Sequence, residues 1–178
     1  MQATRQSFFI CLFANGLLAF FIGQVNHALT VVSVYLYLSG LFLIFPAITL
    51  SFSSGLLCVF ITGFLLDASL LLPFGLSSTF LALGFTISFF LRISLRRQHK
   101  FSLLLVALGL NSLLYLCFFL YCGGTSLAMG TYWIRGIMDF LFSSLALVLI
   151  GGWFYDLQRA IFSACGLSLR YTPEIPKS

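Results

Sequence analysis

The sequence predicts an all-α integral membrane protein, a six-helix bundle with both termini on the cytoplasmic side. Three observations carry that expectation. The chain of 178 residues is 61% hydrophobic and only 7% charged, with a mean hydropathy of +1.11, whereas soluble domains carry roughly 25% charged residues. Six apolar stretches approach the length of about 20 residues that a helix needs to cross the hydrocarbon layer. Of the nine Lys and Arg residues, all but Arg135 fall in regions that an even number of crossings places on one side, and positive residues in short loops stay cytoplasmic. These stretches occupy almost the whole chain, so residues 1–178 read as a single membrane domain with no soluble catalytic part.

The first stretch, 7–23, follows Arg5 and closes at "QVNHALT". No A-x-A-like site comes after it, since "GQVNHA" places Asn26 before Ala28, so it is expected to remain as an uncleaved helix. The second, 31–50, ends at "ITLSFSS"; the third, 54–73, ends at "LPFGLSS"; the fourth, 76–95, runs into "RRQHK". A polar, glycine-rich stretch, "GGTSLAMGTYWIRG", separates the fifth, 101–121, from the sixth, 137–157. Arg5, then Arg92, Arg96, Arg97 and Lys100, then Arg159, Arg170 and Lys177 mark the cytoplasmic side. Tyr132 and Trp133 at the outer start of the sixth helix, and Trp153 and Tyr155 at its inner end, sit where aromatic residues gather at headgroup level. Running from Asp156 through the tail, 158–178, "DLQRAIFSACGLSLRYTPEIPKS" spaces Leu157, Ala160, Ile161 and Ala164 on one helical face before Pro173 and Pro176. That tail reads equally well as a helix along the inner membrane surface and as a continuation of the sixth helix. No internal repeat or low-complexity tract is legible.

Within the third stretch, "GFLLDASLLLPFG" sets Asp67 in an apolar run. An ionised carboxylate facing lipid at a helix centre costs about 2.5 to 3.5 kcal/mol, so Asp67 is expected to face other helices or water. Its structural role would be to accept backbone N–H groups where the chain turns at Pro73, Phe74 and Gly75; the functional alternative is a proton or ligand site. Gly63 lies four residues earlier on the same face, and Gly55 two turns before that, a small-residue stripe that lets another helix approach. Pro73 and Gly75 end the helix and turn the chain into an antiparallel hairpin. Asn15 and Asn111 fall near mid-membrane, where an amide bonded to a neighbouring helix contributes about 0.6 to 2 kcal/mol. Arg135 and Asp139, four apart, are expected to form an outer-side ion pair, a link from Arg135 to Asp67 being the sharper alternative.

Other classes are disfavoured by the inventory. The bases form no stripe interleaved with aromatics, so the net charge of +5 does not point to nucleic acid. Five cysteines, Cys11, Cys58, Cys117, Cys122 and Cys165, show no C-x-x-C spacing and read as packing residues. His27 and His99 fall on opposite sides of the expected membrane, so they cannot share a metal or a triad. With four acids in the chain and no H-E-x-x-H, Walker loop or G-x-S-x-G, no catalytic, cofactor or metal site is expected, and the chain reads as a non-enzyme.

The stretch "SSGLLCVFITGFLLDASLLLPFGLSSTFLALGFTISFFLR", with Gly55, Gly63, Asp67 and Gly75 before the fourth helix, resembles the core of the rod shape-determining MreD family of bacterial inner-membrane proteins. The resemblance implies a multi-pass scaffold of the cell-elongation, peptidoglycan-synthesising machinery in the cytoplasmic membrane, with no cofactor and no reaction. It implies association with an MreC-like bitopic protein and, through it, with RodA and a class B penicillin-binding protein. Proteins of that family are similar in fold to the S components of energy-coupling-factor vitamin transporters, which supply the alternative reading as a substrate-binding carrier. The A-x-x-x-A docking patch of such carriers is not matched here, where Ala14 is followed at that spacing by Leu18.

Overall fold

The computed structural model describes residues 2–70, 73–91, 100–123 and 130–166. Six α-helices and no strand are found among them: α1 (Gln2–Leu29), α2 (Ser39–Thr49), α3 (Phe52–Leu70), α4 (Leu76–Phe90), α5 (Lys100–Gly123) and α6 (Gly130–Ala164). Three of these, α1, α5 and α6, are long and apolar enough to cross a membrane. The other three are shorter, and the 11 residues of α2 rise only about 16 Å.

That shortest helix is the centre of the molecule. The α2 sequence, "SGLFLIFPAIT", is apolar on every side, and each residue from Ser39 to Ala47 is buried, as expected of a helix with no polar face to turn outward. It touches all five other helices. An α3–α4 hairpin, an α5–α6 hairpin and α1, packed on α3, enclose it. Two glycines set the closest approaches: Gly40 of α2 lies against the Ala107 carbonyl of α5, and Gly84 of α4 lies under Leu43 and Leu114. The outward faces are apolar as well, with Phe13 of α1 and Leu149 of α6 each 70% exposed. A surface of this kind suits contact with lipid better than with water.

The second helix departs from the expected range of 31–50. A short 3-10 turn (Thr30–Val32) is followed by Ser33 in the left-handed region at φ 58° and by a non-helical stretch to residue 38, so α2 starts only at Ser39. The physical reason is that the N–H groups of Tyr35, Leu36 and Tyr37 find side-chain acceptors on other helices and need no helical carbonyl. Helix α1 extends past 23 to Leu29 and takes in most of "QVNHALT". Beyond 157 the chain continues α6 unbroken to Ala164, with Phe162 buried beside Cys11, Phe45 and Cys58, and Gly166 follows at φ +69°. Arg92, Arg96, Arg97, His99, Arg170, Pro173, Pro176 and Lys177 lie outside the described residues.

Candidate functional site

Asp67 sits in the last turns of α3 and is 2% exposed. Its Oδ2 accepts the Gly75 N–H at 2.8 Å and its Oδ1 accepts the Ser77 N–H at 2.9 Å. Gly75 is the residue that precedes α4, at φ 97°, a conformation glycine adopts without steric cost. The carboxylate therefore closes the N-terminus of α4, whose first N–H groups have no partner within their own helix and whose dipole favours negative charge. One turn below, Gly63 meets the Ser78 backbone, which a Cβ would overlap, and Ser78 Oγ donates to the Phe60 carbonyl at 3.2 Å. Gly55 continues the same face beneath the Phe85 ring. Gly55, Gly63, Asp67 and Gly75 thus lie along one α3–α4 seam, with exposed Pro73 at the turn.

A second set of side chains holds the non-helical approach to α2. Asn26 of α1 pairs twice with Leu36, accepting its N–H at 2.8 Å and donating to its carbonyl at 3.0 Å. From α6, Asp139 Oδ1 accepts the Tyr35 N–H and Ser143 Oγ accepts the Tyr37 N–H, both at 2.9 Å. Asn111 of α5 accepts from Ser39 Oγ at 3.1 Å and from the Gly40 N–H at 3.2 Å, which caps α2 itself. Deeper in the bundle, Asn15 donates to the Phe42 carbonyl at 3.2 Å. That carbonyl stands four residues before Pro46, which has no N–H to offer it.

Where the approach to α2 meets the α5–α6 hairpin, Tyr35, Tyr37, Tyr115, Phe118, Phe119, Tyr132, Arg135, Gly136 and Asp139 line a half-open cavity of about 240 Å³. Its rings are fixed by contacts among the lining residues themselves. Tyr115 donates to the Gly136 carbonyl at 2.9 Å and Tyr132 to the Phe119 carbonyl at 2.7 Å. Phe119 stacks on Tyr132 with centroids 4.4 Å apart, and Tyr37 stacks on Phe118 at 5.4 Å.

No protein-family model, curated protein or solved structure matches the chain. Its chemistry is read from its own geometry.

Arg135 and Asp139 both line this chamber, and Arg135 attracts the Asp139 charge without a direct ion pair among the described residues; the hydrogen bond of Asp139 is to the Tyr35 backbone. A buried backbone N–H outside any helix needs an acceptor more than an exposed guanidinium does. Asp67 and Arg135 are not brought together either, because both Asp67 oxygens serve α4. Ser143, Tyr115, Phe118 and Phe119 escaped sequence reading, as did the contacts made here by Asn26 and Tyr132. Pro46 was a legible signal, since a proline inside an apolar helix frees the carbonyl four residues back. Among the described residues no three His, Cys, Asp or Glu side chains group as a metal site.

Proposed function

We propose that the chain is a non-enzymatic scaffold of a bacterial cell-elongation machinery, similar to the MreD family, crossing the cytoplasmic membrane six times with both termini inside. One observation carries this reading. Asp67, the acid of the motif, is buried with each oxygen engaged by the turn into α4. An acid so placed serves the shape of the α3–α4 hairpin, and that hairpin then offers a rigid surface to other membrane proteins. The partners are an MreC-like bitopic protein and, through it, RodA and a class B penicillin-binding protein. The test is depletion in the native rod-shaped cell together with purification in mild detergent. Rounding of the cells and recovery of a bitopic partner support the scaffold; unchanged cell shape overturns it.

A second reading has its own observation. Six side chains that carry polar atoms, Tyr35, Tyr37, Tyr115, Tyr132, Arg135 and Asp139, line one cavity, a feature of ligand-binding bundles. A carrier of the energy-coupling-factor type would bring down an ATPase pair and a coupling membrane protein in the same purification, so a single experiment separates the two.

A further inference from the structure

The chamber at the start of α6 has a composition that selects its ligand. The hydroxyls of Tyr115 and Tyr132 are committed to helix carbonyls, so these two lining residues contribute ring carbon more than free hydroxyl to the space. Ring faces attract cations, most of all ammonium groups enclosed by several rings. A half-buried carboxylate, Asp139, stands among them, with one oxygen holding the Tyr35 N–H. Arg135 lies one helical turn away on the same cavity wall, and its guanidinium suits the geometry of a phosphate. With no ion pair between Arg135 and Asp139 among the described residues, the chamber presents one positive and one negative group side by side.

We propose that this chamber binds a zwitterion in which an ammonium group is joined to a phosphate ester, the ammonium held by Asp139 and the aromatic rings and the phosphate by Arg135. Such a group occurs as a phospholipid headgroup and as a free phosphoamine. The surroundings favour the lipid. Tyr115, Phe119 and Gly136 also line an apolar groove of about 300 Å³ along the α5–α6 contact, with Leu116, Trp133, Ile137 and Phe140. Leu116 is 55% exposed and Ile137 57% exposed along it, so an acyl chain lying against the hairpin has apolar surface to cover. The proposal does not depend on the scaffold reading, because a lipid site serves a scaffold and a carrier alike.

Trp133 supplies the readout, since its ring meets Phe119 edge-on at 5.4 Å. In the full-length Trp153→Phe protein it is the remaining tryptophan. Detergent-solubilised protein is titrated with short-chain phosphatidylethanolamine, short-chain phosphatidylglycerol and soluble phosphoethanolamine while Trp133 emission is followed. A saturable change is expected with phosphatidylethanolamine, with phosphatidylglycerol at least roughly ten-fold weaker, a difference of about 1.4 kcal/mol. Phosphoethanolamine binding as tightly as the lipid assigns the free solute as the source; weaker binding assigns the lipid. Asp139→Asn keeps an oxygen for the Tyr35 N–H while removing the charge, and Arg135→Gln removes the cation at an exposed position. Each is expected to weaken binding roughly ten-fold with the melting temperature unchanged, and Arg135→Lys is expected to restore part of it. Equal binding of phosphatidylglycerol, or unaltered titrations in both charge-removing variants, overturns the proposal.

Discussion

A carboxylate that accepts one backbone N–H on each oxygen leaves no place for an amide nitrogen. Asp67→Asn presents an N–H₂ group to either Gly75 or Ser77 and leaves one buried donor without an acceptor, an expected loss of about 1–3 kcal/mol, read as a lower melting temperature in mild detergent. Gly63→Ala drives a methyl group into the Ser78 backbone and is expected to cost about 1–3 kcal/mol, because neither helix can shift without the other. Gly109→Ala is the matched control. A Cβ there meets nothing within 4 Å, and the same melting measurement is expected to show no loss and a gain of up to about 1 kcal/mol from the helix propensity of alanine. Much of this seam was legible from spacing alone. A spacing of four from Gly63 to Asp67 puts both on one face, and Pro-Phe-Gly marks the turn. The identity of the second donor, Ser77, and of the backbone that Gly63 meets, Ser78, was not, because each depends on how far α4 slides along α3.

At the level of elements, α2 shows how a hydropathy window misleads. Residues 31–50 look like one apolar span, yet hydropathy weighs side chains and is blind to where backbone donors go. Here those donors go to Asn26, Asp139, Ser143 and Asn111, residues contributed by three other helices. Such backbone is tolerated at membrane depth only when protein satisfies it. Asn15 answers the opposite need, donating to a carbonyl that Pro46 leaves open. A double-mutant cycle tests this: Asn15→Ala is expected to destabilise by about 1 kcal/mol in the parent. In a Pro46→Ala background, where a helical N–H reaches Phe42, the loss is expected to be smaller. Coupling of about 0.5 kcal/mol or more between the two sites is expected, and additive losses would contradict the arrangement.

Across the whole molecule, composition alone made the helical class legible, and the buried centre follows from the one helix that is apolar on all sides. Which helix would be central was not legible, because α3 and α4 are nearly as apolar. The six-crossing reading places exposed Cys165 on the cytoplasmic side. In a variant keeping only that cysteine, a membrane-impermeant maleimide is expected to react in inverted vesicles and not in intact cells, and labelling of intact cells would contradict the topology. The approach to α2 carries a further consequence for synthesis. Its acceptors on α6 lie 104 residues after Tyr35 and 106 after Tyr37, and a ribosome adding about 5–20 residues per second needs roughly 5–20 s to reach them. Throughout that interval the Tyr35 and Tyr37 N–H groups lack these acceptors, so a chain released before its last helix holds the second segment by its asparagines alone, Asn15, Asn26 and Asn111.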